Sequence, residues 1–233
     1  MKANVHNQVK ARARKTRSMW WVPVGLILLS VIPLTFGIIR INQLMNGAEI
    51  TPDNARFFAS PLPVVIHIIS AAVFALLGAF QFVSRLWRRG TGWHRWAGRL
   101  LVPFGLVVGL SGLWMTVFYP RPEGASDLLF GFRLLFGIGM VLSVILGYAT
   151  ILRRDIVQHR AWMMRAYAIG MGAGTQVLTG MFGAIVFGKP TEFEHAVLMG
   201  AGWIINLAVA ERVIRRRPSK QARAASVVVS NLQ

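Results

Sequence analysis

The residues in this chain best suited to ligating a metal, or to titrating near neutrality, are its five histidines, because it contains no cysteine. Two of them sit in a doubled motif: Arg88, Arg89, then His94, Arg95, and 65 residues later Arg153, Arg154, then His159, Arg160. Both copies come just ahead of a long apolar run, so His94 and His159 start their runs from the same side. His67 lies about two turns inside another run, and His195 begins the last one from the opposite side. His6 is in the basic N-terminal tail. The four remaining histidines form an inner pair, His94 with His159, and an outer pair, His67 with His195. Two bis-histidine haems would need this arrangement, each iron held axially from two helices. The expected cofactor is therefore haem b, one or two copies, with these four histidines as iron ligands.

Positioning those histidines requires membrane helices. Hydrophobic residues make up 55% of the 233 positions, charged residues 15%, and the mean hydropathy is +0.52, which suits a bilayer and not a soluble surface. Six runs reach the roughly 20 residues that cross about 30 Å of hydrocarbon, at residues 20–40, 61–86, 98–119, 128–152, 161–187 and 195–214. The expected fold is all-α: one polytopic bundle of six transmembrane helices over residues 20–217. A basic tail (residues 1–19) precedes it and a flexible tail (residues 218–233) follows. The first run resembles a signal peptide in its basic leader, but it is too long and has no small-residue cleavage site, so it is expected to be retained.

Charge placement sets the expected topology. The N-terminal tail, the segments at residues 85–99 and 153–165, and the tail from Arg212 hold 21 of the 26 Lys and Arg. The opposite side holds Arg40, Arg56, Arg121, Arg133 and Lys189, together with Glu49, Asp53, Glu123, Asp127, Glu192 and Glu194. Both termini are thus expected in the cytoplasm. Trp20, Trp21, Trp87, Trp93, Trp96 and Trp162 cluster near that interface as anchors. The net charge of +18 is read as a topology signal with an attraction to anionic lipid, and nucleic acid is not an expected partner.

Helical phase gives each histidine a face of small residues. At about 100° per residue, Gly98, Gly105, Gly109 and Gly112 follow His94, and Ala166, Gly170, Ala173 and Gly174 follow His159. Ala71, Phe74, Gly78 and Gln81 follow His67, and Gly202 and Asn206 follow His195. Such faces would clear space for a porphyrin, but small residues at these spacings also let membrane helices pack closely. Likewise, a histidine at a helix mouth beside arginine is often a hydrated interfacial residue.

Arg133 is the strongest intramembrane anomaly, about a turn and a half into the fourth run from the outer side, where a buried arginine is costly. It is expected either to reach outward to Asp127 or Glu123, or to pair with an anion inside the bundle, such as a haem propionate. Arg95, Arg99, Arg160 and Arg165 are candidates for the same task at the inner site, or for anionic lipid. There is no His-Glu-x-x-His, phosphate-loop or nucleophile-elbow motif. Gln81, Tyr148, Gln176, Thr179 and Asn206 would line a polar path or hydrogen-bond between helices. The 65-residue period brackets two hairpins of the same sense, so duplication is one source of the motif and chance recurrence of basic loops is the other.

The stretch from Asn54 to Gln81, with Pro-Leu-Pro before His67 and Gly-Ala-Phe-Gln-Phe after it, is followed by His94-Arg-Trp-Ala-Gly-Arg99. With His159-Arg-Ala-Trp-Met-Met-Arg165-Ala-Tyr, it resembles a bacterial family of predicted membrane proteins, domain of unknown function 2306, over roughly residues 60–185. That resemblance implies a multi-pass protein of the bacterial cytoplasmic (inner) membrane. More loosely the chain resembles six-helix di-haem cytochromes of the b561 and ferric-reductase type, which implies ligand pairs at two depths. It departs from them in carrying Arg133 on the fourth helix, where a ligand would be expected.

The leading expectation is a b-type haem protein that moves electrons across or within the membrane with an unnamed redox partner. Its cofactor-binding residues would be His94, His159, His67, His195, Arg133, Arg99 and Arg165. The rival is a haem-free small-solute permease or a membrane scaffold, and a third reading is a role in binding or modifying lipid.

Overall fold

The computed structural model describes residues 20–81, 92–121 and 126–216. Arg88, Arg89, Trp87, Glu123 and both tails lie outside them. Every regular element among the described residues is helical: α1 (Trp21–Met45), α2 (Ala55–Ala59), α3 (Pro61–Gln81), α4 (Trp93–Phe118), α5 (Asp127–Leu152), α6 (Ile156–Gly170), α7 (Gly172–Phe187) and α8 (Glu192–Arg215). Five of these, α1, α3, α4, α5 and α8, are long and apolar enough to cross a membrane, and the pair α6 and α7 makes a sixth crossing if counted as one span.

Helix ends follow local chemistry. Asp155 accepts from the Gln158 N–H (3.0 Å) and Ser126 from the Leu128 N–H (3.2 Å), and Thr191 with Glu194 forms a reciprocal capping box. These caps start α6 and α8 earlier than residues 161 and 195, and α4 likewise begins at Trp93. His94 and His159 are therefore inside first turns, not ahead of them, and His195 ends the first turn of α8 instead of starting it. The second Arg-Arg pair also gains a local explanation. Arg154 has φ of 60°, its N–H bonds Ile151 O (3.0 Å), and the Asp155 N–H bonds Thr150 O (2.9 Å), which is the Schellman pattern that closes α5.

The fifth run, read as one helix over residues 161–187, is two helices bent by 44° at Met171. Gly170, Gly172 and Gly174 weaken the helix there and let other elements approach: Phe74 against Gly170, Trp203 against Gly172 and the Leu29 backbone against Gly174. The side-chain amide of Asn206 donates to Ala168 O (3.1 Å), while its Oδ1 accepts from the Thr175 hydroxyl (2.7 Å). These bonds compensate the interrupted ladder.

α3 packs on α4 and α5 on α6, so the two hairpins bracketed by the repeated motif are both side-by-side pairs. The chain closes through α1 on α3 and α7, α4 on α5, and α7 on α8. α6 takes the central place, against α3, α4, α5, α7 and α8. Accordingly Ala161, Met164, Ala166, Tyr167, Ala168 and Ile169 of α6 are all buried, whereas Leu28, Phe36, Leu135, Ile185 and Val209 face outward from other helices. The core gathers Phe74, Leu101, Val108, Phe136, Met140, Tyr167 and Ile169 at mid-height.

Candidate functional site

Four basic residues gather at one end of the bundle, three from separate helices and Arg121 from the segment after α4. The guanidinium groups of Arg40 (α1) and Arg56 (α2) lie 4.4 and 4.8 Å from the Phe57 ring centre. Phe57 meets Tyr119 edge-on at 5.5 Å, and the Tyr119 hydroxyl donates to Ser60 O at 2.6 Å. Burial raises the Tyr119 pKa above its ordinary value, against the lowering effects of a Val64 backbone hydrogen bond and of the Arg56 charge. Arg121 lies 3.9 Å over Phe130 and pairs with Asp127 at 2.7 Å. The fourth is Arg133 on α5, whose charge interacts with that of Arg56. Asp127 is thus taken by Arg121, and Arg133 has no acidic partner among the described residues.

This mouth leads into a cavity of about 410 Å³. Its upper wall carries Arg56, Phe57, Tyr119, Arg121 and Arg133. Its lower wall reaches Ala71, Val108, Met140, Ile169 and Gly170 in the core, with Gln176 and Trp203 to one side. Gly109 and Gly112 of α4 and Gly137 of α5 also line it.

His67 faces this cavity, and its partner is not a histidine. Its Nδ1 lies 3.0 Å from Ser111 Oγ, whose own hydrogen goes to Val107 O at 2.5 Å, so the hydroxyl oxygen accepts and Nδ1 carries the proton. His195 is exposed on the first turn of α8, does not line the cavity, and sits on a helix that packs against α5, α6 and α7. The structure does not bring the outer pair together. Ser111, Arg56 and Tyr119 were missed by reading the chain. The signal for Arg56 lay in the count of basic residues on the unfavoured side, whereas Ser111 is 44 residues from His67 and offers no comparable cue.

At the basic end, α4 and α6 bring His94 and His159 close enough for their charges to interact. His159 Nδ1 donates to Gly147 O at 2.7 Å, which leaves Nε2 as its free ring nitrogen. Arg165 donates from Nε to Glu211 Oε1 at 2.5 Å and lies 4.6 Å over Trp162, so it is held by α8 rather than turned to the histidines. Arg99 is exposed.

Most of the glycine faces are filled by neighbouring helices. A Cβ on Gly105 would lie 2.8 Å from Phe74, on Gly109 2.6 Å from Val141, and on Gly202 2.7 Å from Gln176. Tyr167 covers Gly78 and Leu29 covers Gly174. Close helix packing therefore accounts for these positions. Gly98, one turn beyond His94, differs in that a Cβ there would meet nothing within 4 Å among the described residues. The expected polar path is also largely interhelical bonding: Gln176 Nε2 donates to Met199 O (3.0 Å) and the Thr179 hydroxyl to Leu198 O (2.8 Å). Among the described residues no group of three or more His, Asp and Glu is placed to hold a metal ion.

Residues 64–214 match a family model described as a predicted membrane protein, DUF2306. No curated protein and no solved structure matches the chain.

Proposed function

The chain belongs to the DUF2306 family of predicted membrane proteins, and from that premise we propose that it is a small-solute permease of the bacterial cytoplasmic membrane, with its termini in the cytoplasm. The site takes an anionic solute from the outer side. The observation that carries this reading is the cavity of about 410 Å³ with Arg56 and Arg133 at its mouth, the latter without an acidic partner among the described residues. That volume lies in the range of small-molecule sites, about 300–1,000 Å³. Two guanidinium groups whose charges repel each other are relieved by an anion between them, and each offers a planar fork suited to carboxylate or phosphate.

Haem-free protein in liposomes should take up at least one of a panel of membrane-impermeant carboxylates and phosphates. Arg133→Gln should slow that uptake at least tenfold. Gln81, whose side-chain oxygen and nitrogen are buried without a hydrogen-bond partner among the described residues, lies towards the basic end, and Gln81→Leu should slow transport without weakening binding. Uptake no faster than in protein-free liposomes, for every solute, sinks the permease reading and leaves a scaffold.

A second reading concerns the inner pair. The bond from His159 Nδ1 to Gly147 O orients the ring as axial ligands are commonly oriented, and the open face at Gly98 adjoins His94. His94 and His159 would hold one b-type haem, which supplies one-electron exchange when bound. Protein from haem-supplemented cells should then show a Soret band and a reduced-minus-oxidised difference spectrum, both lost in His159→Ala. A featureless spectrum removes this reading and leaves the cavity untouched.

A further inference from the structure

The cavity carries its charged groups at one end only. Arg56, Arg121 and Arg133 stand at the mouth, and Ala71, Val108, Met140, Ile169 and Gly170 form the floor. Between the mouth residue Ser126 and the floor residue Met140, α5 advances about 21 Å at the helical rise. Half of a bilayer's hydrocarbon is about 15 Å, so the cavity runs from the interface to the middle of the membrane.

A small, fully hydrated anion has no use for such a floor. Val108, Met140 and Ile169 belong to the apolar core, and of the groups that interrupt the wall, His67 is bonded through Nδ1 to Ser111, Thr116 to Gly112 O and Gln176 through Nε2 to Met199 O. An apolar chain would meet this floor while an acid group stayed at the arginines. The volume of about 410 Å³ is near the lower end for small-molecule sites and suits one chain rather than two.

We propose that the ligand of this cavity is a single-chain amphipathic anion, its carboxylate or phosphate held between Arg56 and Arg133 and its chain directed to Met140 and Ile169. This rests on the anion-binding reading above and narrows its ligand class. The orientation is that of an amphiphile in the facing leaflet, head at the interface and tail towards the midplane, so the ligand reaches the mouth without leaving the membrane surface.

The test is equilibrium binding to the full chain in phosphatidylcholine nanodiscs, with protein-free discs subtracted. Dodecanoate and dodecyl phosphate are the complete probes, acetate and inorganic phosphate the heads alone, and dodecanol the tail alone. At least one complete probe should bind saturably, at least a hundredfold more tightly than its head and tenfold more tightly than dodecanol. Arg133→Gln and Arg56→Gln should each weaken it at least tenfold. Lys189→Gln, which alters the remaining basic residue of that side, should not. Ala173 lines the cavity and is exposed, so Ala173→Leu should shorten the chain that binds best without affecting the heads. Thermal melting of each variant checks folding. Heads binding as tightly as complete probes, with dependence on Arg133, overturns the amphiphile and leaves the small-anion site standing. Complete probes that bind equally well to Arg133→Gln and Arg56→Gln overturn the proposal, and no saturable binding by any anion removes both readings.

Discussion

Phe74→Ala is expected to destabilise the bundle by about 3–5 kcal/mol, the range for removing a buried aromatic ring. Phe74 is only 3% exposed and sits where three helices meet. Its ring rests against Gly105 of α4 and Gly170 of α6, and its centre is 5.7 Å from that of Tyr167. Tyr167 is held in turn, its hydroxyl donating to Ala75 O at 2.8 Å. In a bilayer, lipid tails are as apolar as the core, so association depends on van der Waals fit more than on escape from water. Removing this ring leaves a gap that lipid cannot reach, and the two glycines facing it have no side chain with which to fill it. Denaturation in mixed micelles, or the melting temperature in mild detergent, reads the effect. A loss under about 1 kcal/mol would show that the three helices close around the gap and that Phe74 is not their common anchor.

Gly174→Val should be nearly as damaging, through excess volume. A Cβ at this position would meet the carbonyl of Leu29, with the carbonyl carbon at 3.0 Å. The obstacle is backbone, which cannot rotate away as a flexible side chain can. α1 would have to move off α7, and the expected cost is about 3 kcal/mol, the upper part of the range for overpacking. Gly25→Ala is the matched control, since nothing among the described residues lies within 4 Å of a Cβ there. It should be neutral or raise stability by up to about 1 kcal/mol through helix propensity. Equal melting temperatures for the two variants would refute the close approach of α1 to α7.

These substitutions touch packing, whereas the cavity depends on charges placed against the ordinary bias. Most of the described basic residues lie on one side, and the few on the other do not scatter. Arg40, Arg56, Arg121 and Arg133 surround Phe57, Tyr119 and Phe130. Arg133 stood out in the sequence as an intramembrane cation, and it does line the mouth. Of the acids weighed as its partner, Asp127 is taken by Arg121 and Glu123 lies outside the described residues. The polar residues on α7 and α8 that offered either a path or interhelical bonds prove to make the bonds, because Gln176, Thr179 and Asn206 face carbonyls of the adjoining helix or of the broken turn.

The repeated motif shows where local reading stops. Its arginines were interpretable from charge bias alone, and the second pair also closes α5 through a turn whose hydrogen bonds are all local. The histidines were matched in depth, which is a property of chain position, and His94 and His159 do come within range of each other's charge. His67 and His195 were paired on the same reasoning, but depth says nothing about direction around the bundle. His67 turns to Ser111 on α4, while His195 lies on an exposed face of α8.

By itself the sequence determined the membrane class, the helical architecture and the segregation of basic charge. Those properties depend on the length of apolar runs and on counts per segment, which are one-dimensional. Only the tertiary structure decided that the fifth run breaks at Met171, that its first half lies at the centre, and that glycine faces receive Phe74, Tyr167 and Leu29. It also decided that Arg56, Arg121 and Arg133, distant in the chain, share one mouth. The azimuth of each helix follows from the sum of its contacts with every neighbour, and no segment of sequence contains that sum.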